Sequence, residues 1–234
     1  MGFGRVRRFS TGQPVLTQGV PGKHAALILN GLVKVTLPST SGTEGTLLSI
    51  RGPGDFVGEE AATLDEVSLA EYPHGVGGLT VTALTPGSAR VLPADDLRRY
   101  FLHEPYVLLT AAGALCERLA DAEARLASAA RDNADCRLAR LLCDLERHGI
   151  PDYNWGPGTQ LPLRLSQAEL ASWIGSCRET VDRTFARWRR RRIISTRRRT
   201  IIVHDLEALA RIAGIQVSRQ TWSLTRGPRG RAIA

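Results

Sequence analysis

The stretch LSQAELASWIGSCRETVDRTFARW (165–188) constrains the fold of this chain more than any other. Ser166-x-x-Glu169 has the spacing of a capping box, in which a hydroxyl and a carboxylate satisfy two orphan N–H groups of a starting helix. Leu170, Ala171 and Ile174 then line one face, and Gly175 supplies a turn. Ser176-x-x-Glu179 repeats the capping spacing and predicts a second helix. In it Val181, Phe185 and Trp188 recur at i, i+4 and i+7, an inward stripe, while Arg178, Glu179, Asp182, Arg183 and Arg187 are left outside. Two short helices joined by a glycine turn make a helix-turn-helix, which presents its second helix to a groove. Ile193–Ser195, Thr196–Arg199 and Thr200–Val203 follow as strand, basic turn and strand, the pattern of a β-wing.

Charge placement agrees. The chain has 234 residues and a net charge of +8, and residues 178–199 hold ten arginines against Glu179 and Asp182. A run this one-sided suits a polyanion. Arg178 near the helix start can fork onto guanine O6 and N7. Arg183, one turn beyond Glu179, can reach a second guanine. Glu179 either accepts from cytosine N4 or serves Ser176 as its capping partner. Arg187, Arg197, Arg198 and Arg199, with the hydroxyls of Ser166, Ser176 and Thr180, are candidate phosphate contacts, which position a duplex without specifying it.

Upstream, residues of about 9–95 alternate short apolar runs (ALIL at 26–29, LVKVTL at 32–37, TLLSI at 46–50, LTVTAL at 79–84, ARVLP at 89–93) with turn signals. Strands at this spacing predict a sandwich or barrel, with Asn30-Gly31 as a hairpin turn. From about 95 to 149 glycine and proline become scarce. Leu108, Ala112, Leu115, Leu119, Ala122, Leu126 and Ala129 alternate steps of four and three, a heptad seam on a single long helix. The expected organisation is α+β: a β-roll over 1–100, a dimerisation helix and hinge over 101–150, a winged helix-turn-helix over 151–215, and a basic tail over 216–234. Hydrophobic content of 43% supports a core, and the chain has no run of about 18 apolar residues to span a membrane. The N-terminal MGFGRVRRF lacks a signal-peptide core, so a cytoplasmic location is expected. Cys116, Cys136, Cys143 and Cys177 show no C-x-x-C spacing and read as reduced thiols. With no nucleophile–base set, metal spacing or P-loop, no enzyme is expected.

CRETVDRTF, the wing and the HDLEALARIAG run (204–214) resemble the winged helix-turn-helix of the Crp/Fnr family of bacterial transcription regulators, over about residues 5–215. The resemblance implies a homodimer on a palindromic operator, with Arg178, Glu179 and Arg183 reading a half-site like GTGA. Cys177 stands where relatives often carry Ser. It also makes GDFVGEE (54–60) the strand-turn of a cyclic-nucleotide-binding β-roll, and the loop 151–160, with Tyr153, Asn154 and Trp155, a candidate contact for RNA polymerase. In cyclic-nucleotide binders of the family the turn Glu takes the ribose and a following Arg pairs with the phosphate. Here Gly58, Glu59 and Glu60 are present, but Gly77 stands at the expected Arg position. Between Gly52 and Ala89 there is no Lys or Arg and there are six carboxylates. A phosphodiester there loses charge-assisted bonds of roughly 1.5–3 kcal/mol each, so the pocket is expected to be degenerate, with Arg118 or Arg125 the arginines able to reach in. Ala122 and Glu123 stand about where cyclic-AMP binders place a Thr-Ser pair. No Cys precedes Cys116, which argues against the family's iron–sulphur sensing, and nothing singles out His24, His74 or His103 as a haem ligand. No cofactor is therefore expected. A ligand-gated regulator of the same family and a non-specific architectural DNA binder are the alternatives.

Overall fold

The structure, a computed structural model, describes residues 4–16, 23–38, 45–64, 79–147, 159–161, 165–197 and 200–215. The chain divides into two compact units, Met1–Ala124 and Arg125–Ala234.

In the first unit, strands β1 (Arg5–Phe9), β3 (His24–Asn30), β6 (Phe56–Val57) and β8 (Gly87–Pro93) pair antiparallel in the order β1-β8-β3-β6. Strands β2 (Pro14–Leu16), β4 (Val33–Leu37), β5 (Thr46–Arg51) and β7 (Thr80–Ala83) form a second sheet in the order β2-β7-β4-β5. Alternation decides which side chains face inward: along β7 Val81 and Ala83 are buried while Thr80 and Thr82 are half-exposed. Ala26, Ile28 and Ala89 of the first sheet meet Val33, Val35 and Val81 of the second, with Phe9 and Val57 completing the core. This is the expected β-roll.

Asn30-Gly31 is not a hairpin. Strands β3 and β4 belong to different sheets, so the turn carries the chain from one layer to the other. Gly31 adopts φ +82, and a Cβ on it would lie 2.6 Å from the Pro86 carbonyl oxygen. Pro86-Gly87 carries the chain back across, from β7 to β8, and a Cβ on Gly87 would lie 2.1 Å from the Asn30 carbonyl oxygen. The two corners pack back to back because neither carries a side chain there.

The region read as one helix is three: α2 (Ala94–His103), α3 (Pro105–Arg131) and α4 (Ala134–Arg147), preceded by a short α1 (Glu60–Thr63). Glu104 leaves the helical region at φ −123, ψ 79, as the residue before a proline does for steric reasons. The second break falls at Asp132-Asn133, where the Asn133 side-chain oxygen accepts from the Cys136 N–H at 2.9 Å and caps α4. Leu97 and Phe101 of α2 and Val107 of α3 pack with Ala25, Leu92, Ala61 and Ala62 of the roll. Helix α3, of 27 residues, is about 40 Å long at 1.5 Å per residue.

In the second unit α4 buries Leu138, Ala139, Leu142 and Leu145. Around it lie α5 (Gln167–Trp173), α6 (Arg178–Arg190), α7 (Leu206–Ile212) and a sheet of order β10-β11-β9, from β9 (Thr159–Leu161), β10 (Ile194–Arg197) and β11 (Thr200–Val203). β10 and β11 pair antiparallel from Ile194↔Val203 to Arg197↔Thr200, the expected wing. The end of the expected 151–160 loop is strand, since Thr159 and Gln160 pair with Val203 and Ile202.

Candidate nucleic-acid interface

Helix α5 begins at the expected capping box: Ser166 Oγ accepts from the Glu169 N–H at 3.1 Å, and the Ser166 N–H donates to Glu169 Oε2 at 2.9 Å. The Ser166 hydroxyl thus has a structural duty besides the phosphate role expected of it. The helix ends in a Schellman motif, the Ser176 N–H reaching the Ala171 carbonyl at 2.9 Å and the Gly175 N–H the Ser172 carbonyl at 3.2 Å. Gly175 takes φ +59, the left-handed conformation this motif requires at its glycine position.

The second capping box does not form. Helix α6 starts one residue later than expected, with Cys177 as N-cap and no side-chain cap bond from it. Ser176 is held outside the helix by its own N–H bond to Ala171, so its hydroxyl cannot take the N-cap place. Glu179 therefore is not the capping partner of Ser176. Its carboxyl is held below the ordinary 4.5 first by its own backbone N–H and then by the Cys177 thiol, with the charges of Arg178 and Arg183 adding to the effect.

Val181, Phe185 and Trp188 are buried, as the stripe predicts. Their burial turns the opposite face of α6 outward, and Arg178, Glu179 and Arg183 are exposed together on it. Arg178 lies 3.9 Å from Asp182, an exposed pair of little energetic weight. Arg183 donates to Thr180 Oγ1 at 3.2 Å, and Thr180 Oγ1 lies 3.1 Å from Cys177 Sγ. Arg189, Arg190, Arg191, Arg192 and Arg197 are exposed, with Arg189 donating to Thr196 Oγ1 at 3.0 Å. Arg198, Arg199, Tyr153, Asn154, Trp155 and Gly77 lie outside the described residues.

Arg187 departs from its expected role. It is ion-paired to Asp135 of α4, whose other carboxylate oxygen accepts from the buried Thr184 hydroxyl at 2.6 Å. Asp135 thus clamps α6 from behind, a contact 49 residues apart in sequence that no local pattern announces. Arg137 adds a bond to the Ile174 carbonyl at 2.7 Å, and Arg140 joins Ser128, Asp132 and the Ala213 carbonyl. The Ser128 hydroxyl first, and Arg140 after it, hold the Asp132 carboxyl below its ordinary 3.8.

At the roll turn, Gly58 adopts φ +75, and a Cβ there would meet the His24 carbonyl oxygen at 2.8 Å. The turn thus presses its backbone against β3. Of the two arginines able to reach in, Arg118 of α3 does so: its Nη2 lies 2.6 Å from Glu59 Oε1, with both side chains mostly buried, and its Nη1 donates to the Phe56 carbonyl at 3.4 Å. Arg125 instead stacks on the Trp173 ring, 4.8 Å from its centroid. Burial first, and the neighbouring Glu59 second, push the Glu60 carboxyl up from 4.5, against smaller opposing effects that include Arg51 and Arg118.

On α3, Leu108, Leu115, Leu119 and Leu126 are 42%, 44%, 61% and 71% exposed. Ala112 and Ala129 are exposed with them and Ala122 is half-buried. The seam is an apolar face that the described residues of a single chain leave open. No group of three or more His, Cys, Asp or Glu among the described residues has the arrangement to hold a metal ion. None of the described helices is long and apolar enough to cross a membrane.

An arginine-faced helix-turn-helix with a wing, on a chain that also carries a β-roll, defines a winged-helix DNA-binding regulator. Residues 6–104 match the cyclic nucleotide-binding domain family and residues 136–212 the Crp-like helix-turn-helix domain family. The chain is 29% identical over 206 residues to a CRP-like cAMP-activated global transcriptional regulator of Mycobacterium tuberculosis, covering 88% of this chain and 86% of that one. It is 29% identical over 208 residues to the transcriptional regulator SdrP of Thermus thermophilus, covering 88% and 92%. A solved CRP/FNR-family regulator, also from Thermus thermophilus, superposes with a TM-score of 0.71 at 26% identity, covering 91% of this chain and all of that one. The chain belongs to the Crp/Fnr family of DNA-binding transcription regulators.

Proposed function

We propose that the protein is a homodimeric, sequence-specific transcription regulator that reads a palindromic operator with GTGA-like half-sites through Arg178, Glu179 and Arg183. The observation that carries this reading is the joint exposure of these three side chains on the first two turns of α6, above a buried Val181–Phe185–Trp188 stripe. Arginine and carboxylate at that place match guanine and cytosine edges in a major groove. The exposed arginines 189–192 and 197, with Ser176, supply phosphate contacts. Arg187 contributes chiefly by bracing α6 through Asp135. The leucine face of α3 is the dimer seam, an exposed apolar stripe of the kind that marks an interaction surface. A two-fold dimer then matches a palindrome.

The roll, in this reading, does not take cyclic AMP in the family manner. Glu59 is already ion-paired by Arg118, and Glu60 sits where burial disfavours its negative charge, an environment hostile to a second anion. The mycobacterial relative is named as cAMP-activated, which makes control by a cyclic nucleotide the competing reading. Calorimetry of the full chain with cyclic AMP separates the two: no binding is expected, and micromolar or tighter binding overturns this part. Competition between a palindromic GTGA duplex and a scrambled duplex of equal length tests the rest. Preference for the palindrome is expected, and equal competition returns the protein to a non-specific architectural binder.

A further inference from the structure

At the start of α6 three side chains join in a row. Arg183 Nη2 donates to Thr180 Oγ1 at 3.2 Å. Thr180 Oγ1 lies 3.1 Å from Cys177 Sγ, either atom able to donate to the other. The Thr180 hydroxyl therefore bridges the Arg183 guanidinium and the Cys177 thiol. Arg183 discriminates bases in the function proposed above, and Thr180 and Cys177 touch no base in that reading.

We infer that Thr180 is a positioning residue for base reading, its hydroxyl, itself held by the Cys177 thiol, orienting the Arg183 guanidinium before DNA arrives. The inference rests on Arg183 being a base reader, and it moves Thr180 away from the phosphate contact expected from sequence. Long arginine side chains lose rotamer freedom when they bind, and a side chain already oriented loses less. Consecutive hydrogen bonds also polarise one another, so removing a middle member weakens the bonds on both sides. A hydroxyl at 180 that only met a phosphate would strengthen binding to every sequence alike. A hydroxyl that orients Arg183 strengthens binding to one base pair over its alternatives.

The test is fluorescence anisotropy with the full chain, on a palindromic GTGA duplex and its single-base-pair variants. Thr180→Val keeps the shape and removes the hydroxyl; Thr180→Ser restores it. Thr180→Val is expected to lower discrimination at the base pair read by Arg183 by roughly fivefold, the size of one net hydrogen bond. Affinity for scrambled duplex should be unchanged, and Thr180→Ser should recover the discrimination. Cys177→Ala should lower discrimination at the same base pair, by less than Thr180→Val does, whereas Cys177→Ser should keep it. A thermal melt of each variant checks the fold, and Thr180 is half-exposed, so none of these changes touches the core. Equal weakening on all duplexes would make Thr180 a phosphate contact and overturn the inference, as would no change. Arg183→Ala, measured alongside, separates the two levels. If it relaxes discrimination while Thr180→Val does not, base reading stands and positioning falls. If Arg183→Ala leaves discrimination intact, the base-reading proposal falls and this one with it.

Discussion

Glu59 of the roll turn and Arg118 of α3 form an ion pair, 2.6 Å between Oε1 and Nη2, with 16% and 17% of their side chains exposed. A pair this sheltered contributes most visibly when one partner is removed, because the other charge is left stranded. Arg118→Met should therefore destabilise the roll by about 2 kcal/mol, between an exposed and a fully buried pair. Glu59→Gln, which leaves a hydrogen-bond acceptor for the arginine, should cost less. Denaturant unfolding of the full chain, followed in the roll's transition, checks the order. Equal and negligible effects would show that the pair does not hold α3 to the turn.

Two helices of the reader end in the same motif with different residues. Helix α5 closes with Gly175 at φ +59, and α6 closes with Arg192 at φ +56, where the Ile193 N–H reaches the Trp188 carbonyl at 2.9 Å and the Arg192 N–H the Arg189 carbonyl at 3.0 Å. A side chain in the left-handed region costs about 1 kcal/mol relative to glycine. Arg192→Gly should therefore raise the melting temperature, and Gly175→Ala should lower it. A Cβ on Gly175 meets nothing within 4 Å, so the effect there is purely conformational.

Gly87 poses the opposite case. A Cβ on it would lie 2.1 Å from the Asn30 carbonyl oxygen and 2.7 Å from Phe9 Cε2. Gly87→Ala must push the two sheet-crossing corners apart, at a cost of about 3 kcal/mol, the upper part of the overpacking range. Circular dichroism melts should show a loss several times that of Gly175→Ala.

Glu60 gives a pH-dependent prediction. Burial and Glu59 raise its carboxyl above 4.5 in the folded protein. The native state then holds a proton that the unfolded state has released, and the contribution is complete below the unfolded value and lost as pH rises through the folded one. Glu60→Gln removes that loss. The variant should be more stable than the parent at pH 7, and the difference should vanish below pH 4.5. A difference that persists unchanged at low pH would contradict the assignment.

Local patterns carried much of this fold. The Ser166–Glu169 box, the Gly175 turn and the Val181–Phe185–Trp188 stripe depend on neighbours within a few residues, and all three are present. Features that depend on distant partners were not legible. Asn30-Gly31 has the composition of a hairpin, but that composition marks any tight turn with positive φ, and only the clash geometry against Pro86 and Gly87 distinguishes a sheet crossing. The break at Asp132-Asn133 lacks glycine and proline and rests on a side-chain cap instead. Ser176 carries the right spacing for a cap, yet the Schellman bond of the preceding turn claims its backbone and leaves Cys177 as N-cap. Arg187 looked like its neighbouring arginines until Asp135, distant in sequence, took it.

The most direct measurement is the pattern of discrimination across single-base-pair variants of a palindromic duplex for Arg178→Ala, Glu179→Ala and Arg183→Ala, at several salt concentrations. If these side chains read bases, each variant relaxes preference at its own base pair by about 1–3 kcal/mol, while Arg197→Ala lowers affinity evenly and reduces the salt slope by about one. If all four substitutions weaken specific and scrambled duplexes by the same factor, the three residues are phosphate contacts and the account of α6 as the sequence reader is wrong.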